Sequence, residues 1–126
     1  MEGKKYSNKV VDLHYKDGIM YFTYKQGKFT LDEVKEVMED FFREFADVLP
    51  VLAVSDISAQ KGTPKEHRDF AATDYVIDKF RANALVADSV FSKMVGNLFL
   101  TFNKPKKPTR IFSDIASAET WLRTLE

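Results

Sequence analysis

Two histidines, His14 and His67, are the only side chains whose ordinary pKa lies near neutral pH, since the 126-residue chain has no cysteine. They are therefore the first candidates for acid–base or metal chemistry. His14 shares the polar face of an alternating segment with Asp12 and Lys16, but no third ligand accompanies that pair. His67 has Glu66, Arg68 and Asp69 as neighbours, yet Thr63 and Ala71 occupy the positions four residues away, where a helical metal site would need a ligand. Both histidines read as solvated polar residues. Nucleophilic chemistry finds no footing: there is no G-x-S-x-G elbow, and neither histidine stands at a recognisable spacing from a serine. Glycine-rich dinucleotide and Walker phosphate loops are absent as well. The expectation is no catalytic set, no metal and no cofactor.

Charge and apolar surface offer two further candidates. Residues 89–113 hold five bases (Lys93, Lys104, Lys106, Lys107, Arg110) and no acid, whereas residues 31–49 hold seven acids against Lys35 and Arg43. Lys104, Lys106, Lys107 and Arg110 are candidates for a patch that meets an anion or an acidic partner. The plainer reading is that these lysines complement a helix C-terminus. Tyr75, Phe91, Met94 and Leu98 are candidates for lining a small apolar or lipid-like ligand between the second and third helices. Their plainer role is core filling. With 19 basic and 19 acidic residues the chain is neutral, which argues against general nucleic-acid binding. The acidic and basic segments could also pair between two copies in a homodimer.

These residues must be held by a framework that the patterning specifies. Asp17-Gly18 is a two-residue turn signal, because both positions tolerate positive φ. Pairing outward from it sets Tyr15 against Met20, Leu13 against Phe22 and Val11 against Tyr24, all on one face. Thr30 and Glu33 form a capping box for a helix over 29–49, with the acids on its solvated face. VLAVSDI (51–57) reads as a buried strand and SAQKG as a loop. Thr63-Pro64-Lys65-Glu66 is a second capping box, for a helix through Phe70, Ile77 and Phe80 with a break near Thr73-Asp74. ANALVAD (82–88) and PTRIFS (108–113) are further strands.

Residues 91–102 place Phe91, Met94, Val95, Leu98 and Phe102 on one helical stripe, predicting a core helix with Leu100 pointing the other way. Gly96 in its middle suggests a close neighbour. Ser113 or Asp114 caps a last helix that buries Ile115, Ala118, Trp121, Leu122 and Leu125 on one face.

The order is β-β-α-β-α-β-α-β-α. It predicts one α/β domain with an ordered core over about 10–125: a mostly parallel, five-stranded open sheet, an antiparallel first strand and four helices. The opening MEGKKYSNK lacks an apolar signal region, and no run approaches the ~20 apolar residues of a membrane span. The expectation is a cytoplasmic protein, not an integral membrane one.

Gly27-Lys28-Phe29-Thr30 with Asp32-Glu33, Arg81-Ala82-Asn83-Ala84-Leu85-Val86, Arg110-Ile111-Phe112, and Ala118 with Trp121-Leu122 follow one another in an order similar to the STAS-like domains. These are the small α/β proteins built like anti-sigma-factor antagonists and often classed with Sec-fourteen-type lipid-transfer proteins. The resemblance runs from about Val10 to Leu125. It implies a non-catalytic regulatory or protein-interaction module. Regulatory members carry an Asp-Ser-x-Gly element whose serine accepts phosphate. Here Asp56-Ile57-Ser58 has no glycine in place, so no such switch carries over to Ser58.

Overall fold

The computed structural model describes residues 1–60 and 62–126. Six strands form one sheet in sequential order: β1 (Lys5–Ser7), β2 (Val11–Lys16), β3 (Ile19–Tyr24), β4 (Val51–Asp56), β5 (Phe80–Val86) and β6 (Thr109–Phe112). The pairs β1/β2 and β2/β3 are antiparallel; the other three are parallel. The β2–β3 hairpin has the expected register, Val11 to Tyr24, Leu13 to Phe22 and Tyr15 to Met20. Asp17 and Gly18 adopt φ of 53° and 80° in its turn.

The helices are α1 (Leu31–Glu44), α2 (Lys65–Ala71), α3 (Asp74–Ile77), α4 (Val90–Leu98) and α5 (Ile115–Arg123). A short 3-10 turn at Ala46–Val48 follows α1, and a π-helical segment at Phe99–Asn103 extends α4. The first capping box is formed in both directions, Glu33 N–H to Thr30 Oγ1 and Thr30 N–H to Glu33 Oε1.

Two apolar layers flank the sheet. On one face Leu13, Met20, Phe22, Ala53 and Phe80 pack with Val37, Met38, Phe41 and Val76 from the helices. On the other, Ile19, Leu52, Val54, Ala82 and Ala84 pack against Ala118 and Leu122 of α5. Strand side chains alternate between the layers, as a period of two requires.

Several expectations need correction. The sheet has six strands rather than five and the fold five helices rather than four. Lys5–Ser7 forms an extra edge strand, and the second expected helix divides into α2 and α3 at the anticipated break. The second capping box does not form: Pro64 is extended at φ −55° and ψ 146°, and α2 starts one residue later. In α4 the buried residues are Ser92, Val95 and Gly96, while Phe91, Met94 and Phe102 are 60%, 54% and 72% exposed. The Ser89–Ser92 capping box turns Ser92 inward, and Gly96 lets the helix approach β6 on that same side. Lastly, Asp40 is buried on α1, and Ile115 is exposed on α5. The loop expected at 58–62 contains Lys61, which lies outside the described residues.

Candidate functional site

Helices α1 to α4 do not close completely over their face of the sheet. A partly open cavity of about 570 Å3 remains between α1, α2, α4 and the C-terminal halves of the central strands. That size falls within the about 300–1,000 Å3 of small-molecule sites. Apolar walls come from Val34 and Met38 of α1, Val76 and Ile77 of α3, and Val95 and Phe99 of the α4 segment. Phe80 and Leu85 complete the apolar surface.

The sheet contributes a polar floor. Ser55 lies on the inward face of β4 and donates from Oγ to Asn83 Oδ1 on β5 at 2.8 Å. Ser55 is only 4% exposed, so that hydrogen bond offsets much of the cost of burying its hydroxyl. Tyr24 adds a phenol whose pKa burial pushes up to about 12.

His67 and Arg68 on α2 and Lys28 before α1 supply the charged and titratable part of the wall. The solvated role expected for His67 is therefore corrected: it is half-buried and faces this cavity. Arg68 Nε is buried with no hydrogen-bond partner among the described residues. The adjacent Asp69 is engaged elsewhere, by Lys65 Nζ at 2.7 Å and Asn103 Nδ2 at 2.7 Å. These hydrogen bonds, from Lys65 first, hold the Asp69 carboxyl below the usual carboxylate range.

The eight residues put forward from the sequence as ligand lining or as a charged patch lie outside this cavity wall. Tyr75 is exposed and meets Phe42 edge-on, with ring centroids 5.1 Å apart. Met94 and Leu98 border a shallow surface hollow with Val90, and Phe91 stands in solvent beside them. The four basic candidates have separate surroundings. Lys106 pairs with Asp74 at 2.8 Å, Lys107 donates to the Phe80 carbonyl at 3.2 Å, and Lys104 is exposed at φ 45°. Arg110 lies over the rings of Phe112 and Trp121 at 5.5 and 5.6 Å, on the α5 side.

His14 packs cross-strand near Tyr21, and Asp12 accepts from Ser7 Oγ at 2.6 Å. Among the described residues no three His, Asp or Glu side chains converge as a metal site. No helix among them is long and apolar enough to cross a membrane.

Ser55, Asn83 and Arg68 carried no site expectation from the sequence, and His67 was expected to be solvated. The signal for two of them was present: Ser55 and Asn83 are polar positions inside otherwise apolar strand runs. A buried polar residue there needs a partner or borders a site.

A sequential sheet with four helices on one face, one on the other and a cavity beneath the first group defines a small α/β domain of the SpoIIAA-like, or STAS-like, fold. The chain is similar to a crystal structure described as an uncharacterised protein of the DUF3478 family with a SpoIIAA-like fold, from Shewanella loihica PV-4. The TM-score is 0.65 at 17% identity, covering 93% of this chain and 98% of that one. At that identity the likeness is one of fold. Residues 13–126 match the family model DUF7793, a domain of unknown function, and the chain belongs to that family. No curated protein matches it significantly.

Proposed function

We propose that this domain is a non-catalytic, cytoplasmic binding module that holds a small, largely apolar ligand between α2, α4 and the sheet. The partly open cavity of about 570 Å3 carries this reading, because its size and its place between helices and sheet suit a small molecule. Apolar walls with a few placed polar groups are the usual make-up of a small-molecule site. The absence of any cysteine fits a reducing compartment.

The test is titration with Nile red, a neutral apolar dye, alongside native mass spectrometry of protein purified from cells. Wild type should enhance the dye's fluorescence saturably. Ala71→Phe, which fills the cavity from α2, should lose that response while retaining its melting temperature. A wild-type protein that neither binds the dye nor retains a ligand would overturn the reading.

A second reading is a regulatory or protein-interaction module acting through α4. It draws on the exposure of Val90, Phe91, Met94 and Phe102, unusual for large apolar side chains grouped on one segment. The basic 89–113 segment and the acidic α1 region could bring two copies together. Light scattering at low and high salt tests that dimer: a salt-sensitive dimer supports it, and a salt-independent monomer removes it.

A further inference from the structure

The cavity wall has a charge bias that the neutral chain as a whole does not have. Among the described residues it includes Lys28 and Arg68 as cations and no aspartate or glutamate. Arg68 is half-buried, its Nε is buried without a partner, and it takes part in no ion pair within 4.0 Å among the described residues. A buried N–H is costly unless it finds an acceptor. Its nearest candidate in sequence, Asp69, is already held by Lys65 and Asn103. Among the described residues, Arg68 thus stands in the cavity wall with one buried N–H, at Nε, left without an acceptor.

We infer that the ligand of this cavity is an amphipathic anion, its carboxylate or phosphate head on Arg68 with Lys28 nearby, and its apolar tail against Met38, Phe80, Leu85, Val95 and Phe99. The inference rests on the proposal that the cavity is a ligand site and adds the class of molecule that enters it. Guanidinium suits such a head because its fork of donors matches two oxygens at once. The Ser55–Asn83 pair lies on the sheet floor and can bond a polar group partway along the tail. Apolar area then supplies most of the affinity, and Arg68 supplies the discrimination between heads.

The experiment is isothermal titration calorimetry with decanoate, monodecyl phosphate and decanol, each below its aggregation threshold. One or both anions should bind wild type at least about tenfold more tightly than the alcohol, the scale of a charge-assisted hydrogen bond. Arg68→Gln should erase that preference and leave decanol binding unchanged, whereas Arg68→Lys should keep part of it. The relative affinities of decanoate and monodecyl phosphate distinguish a carboxylate from a phosphate head. If Arg68→Gln fails to fold, Lys28→Gln at the exposed rim should show a smaller loss in the same direction.

Equal affinities for acid and alcohol, unmoved by Arg68→Gln, would overturn the inference while leaving an apolar ligand site in place. If none of the three compounds binds and Nile red also fails, the proposed site itself falls.

Discussion

Gly96 and Ile111 set how closely α4 sits on the sheet. A Cβ added at Gly96 would lie 2.9 Å from Ile111 Cδ1 and 3.2 Å from its Cγ1, inside van der Waals separation. The absence of a side chain lets the helix bury that flank, and Val95 beside it reaches the cavity wall. Glycine costs about 1 kcal/mol of helix propensity relative to alanine, so the close approach must compensate.

Gly96→Leu should accordingly destabilise the domain by about 1–3 kcal/mol, the usual cost of overpacking. Gly96→Ala gains propensity and meets Ile111, so its net effect should be small. In the Ile111→Val background the same alanine should become more favourable. Chemical denaturation of the four proteins in that cycle measures the coupling. Additive effects would show that Ile111 does not limit the approach.

Asp40 ties the added edge strand to α1. Its carboxylate accepts from Tyr6 OH at 3.1 Å, Asn8 Nδ2 at 3.2 Å and Arg43 Nη2 at 3.0 Å. Burial pushes the Asp40 carboxyl up, but these hydrogen bonds outweigh it and hold the group below its usual range. Asp40→Asn should cost about 1–3 kcal/mol near neutral pH. A depressed carboxyl pKa stabilises the fold above the unfolded value of about 3.9, and that contribution disappears as pH falls through the folded value. The melting temperatures of wild type and Asp40→Asn should therefore converge in acid below about pH 4. A gap that persists unchanged there would contradict the assignment.

The exposed stripe on α4 predicts a contrast in stability. Phe91→Ser and Met94→Ser should each lie within about 0.5 kcal/mol of wild type, because both side chains already stand in water. Phe41→Ala, at a fully buried site packed on Phe22 with ring centroids 4.8 Å apart, should cost about 3–5 kcal/mol. Urea unfolding checks all three, and a large loss at Phe91 or Met94 would restore those residues to the core.

Much of the framework was legible from local rules. The Asp17-Gly18 turn dictates the hairpin register, since a slip by one residue would move Leu13 and Phe22 to the wrong face. Thr30 with Glu33 marks the start of α1 through bonds that span three residues. Asp114 does the same for α5, accepting from Ser117 N–H at 2.7 Å. The edge strand β1 was not legible. Lys5–Ser7 is short and polar, and it is defined by pairing with Asp12–His14 and by Tyr6 reaching Asp40. The site was readable only as a hint, in the polar Ser55 and Asn83 within apolar strands.

Periodicity and turn chemistry act between residues a few positions apart, so they belong to the chain and could be read directly: the order of strands and helices, the hairpin register, the apolar faces of α1 and α5. Which side of α4 turns inward, and where the helices leave a gap, depend on contacts between segments distant in sequence. Phe91 and Met94 form as good an apolar stripe as any, yet Ser92, Val95 and Gly96 are buried because the neighbouring strand carries Ile111 at that place. Arg68 comes to face the cavity for the same reason. Its position relative to β4, β5 and α4 follows from how the helices pack on the sheet, a balance of shape and burial that no local spacing encodes.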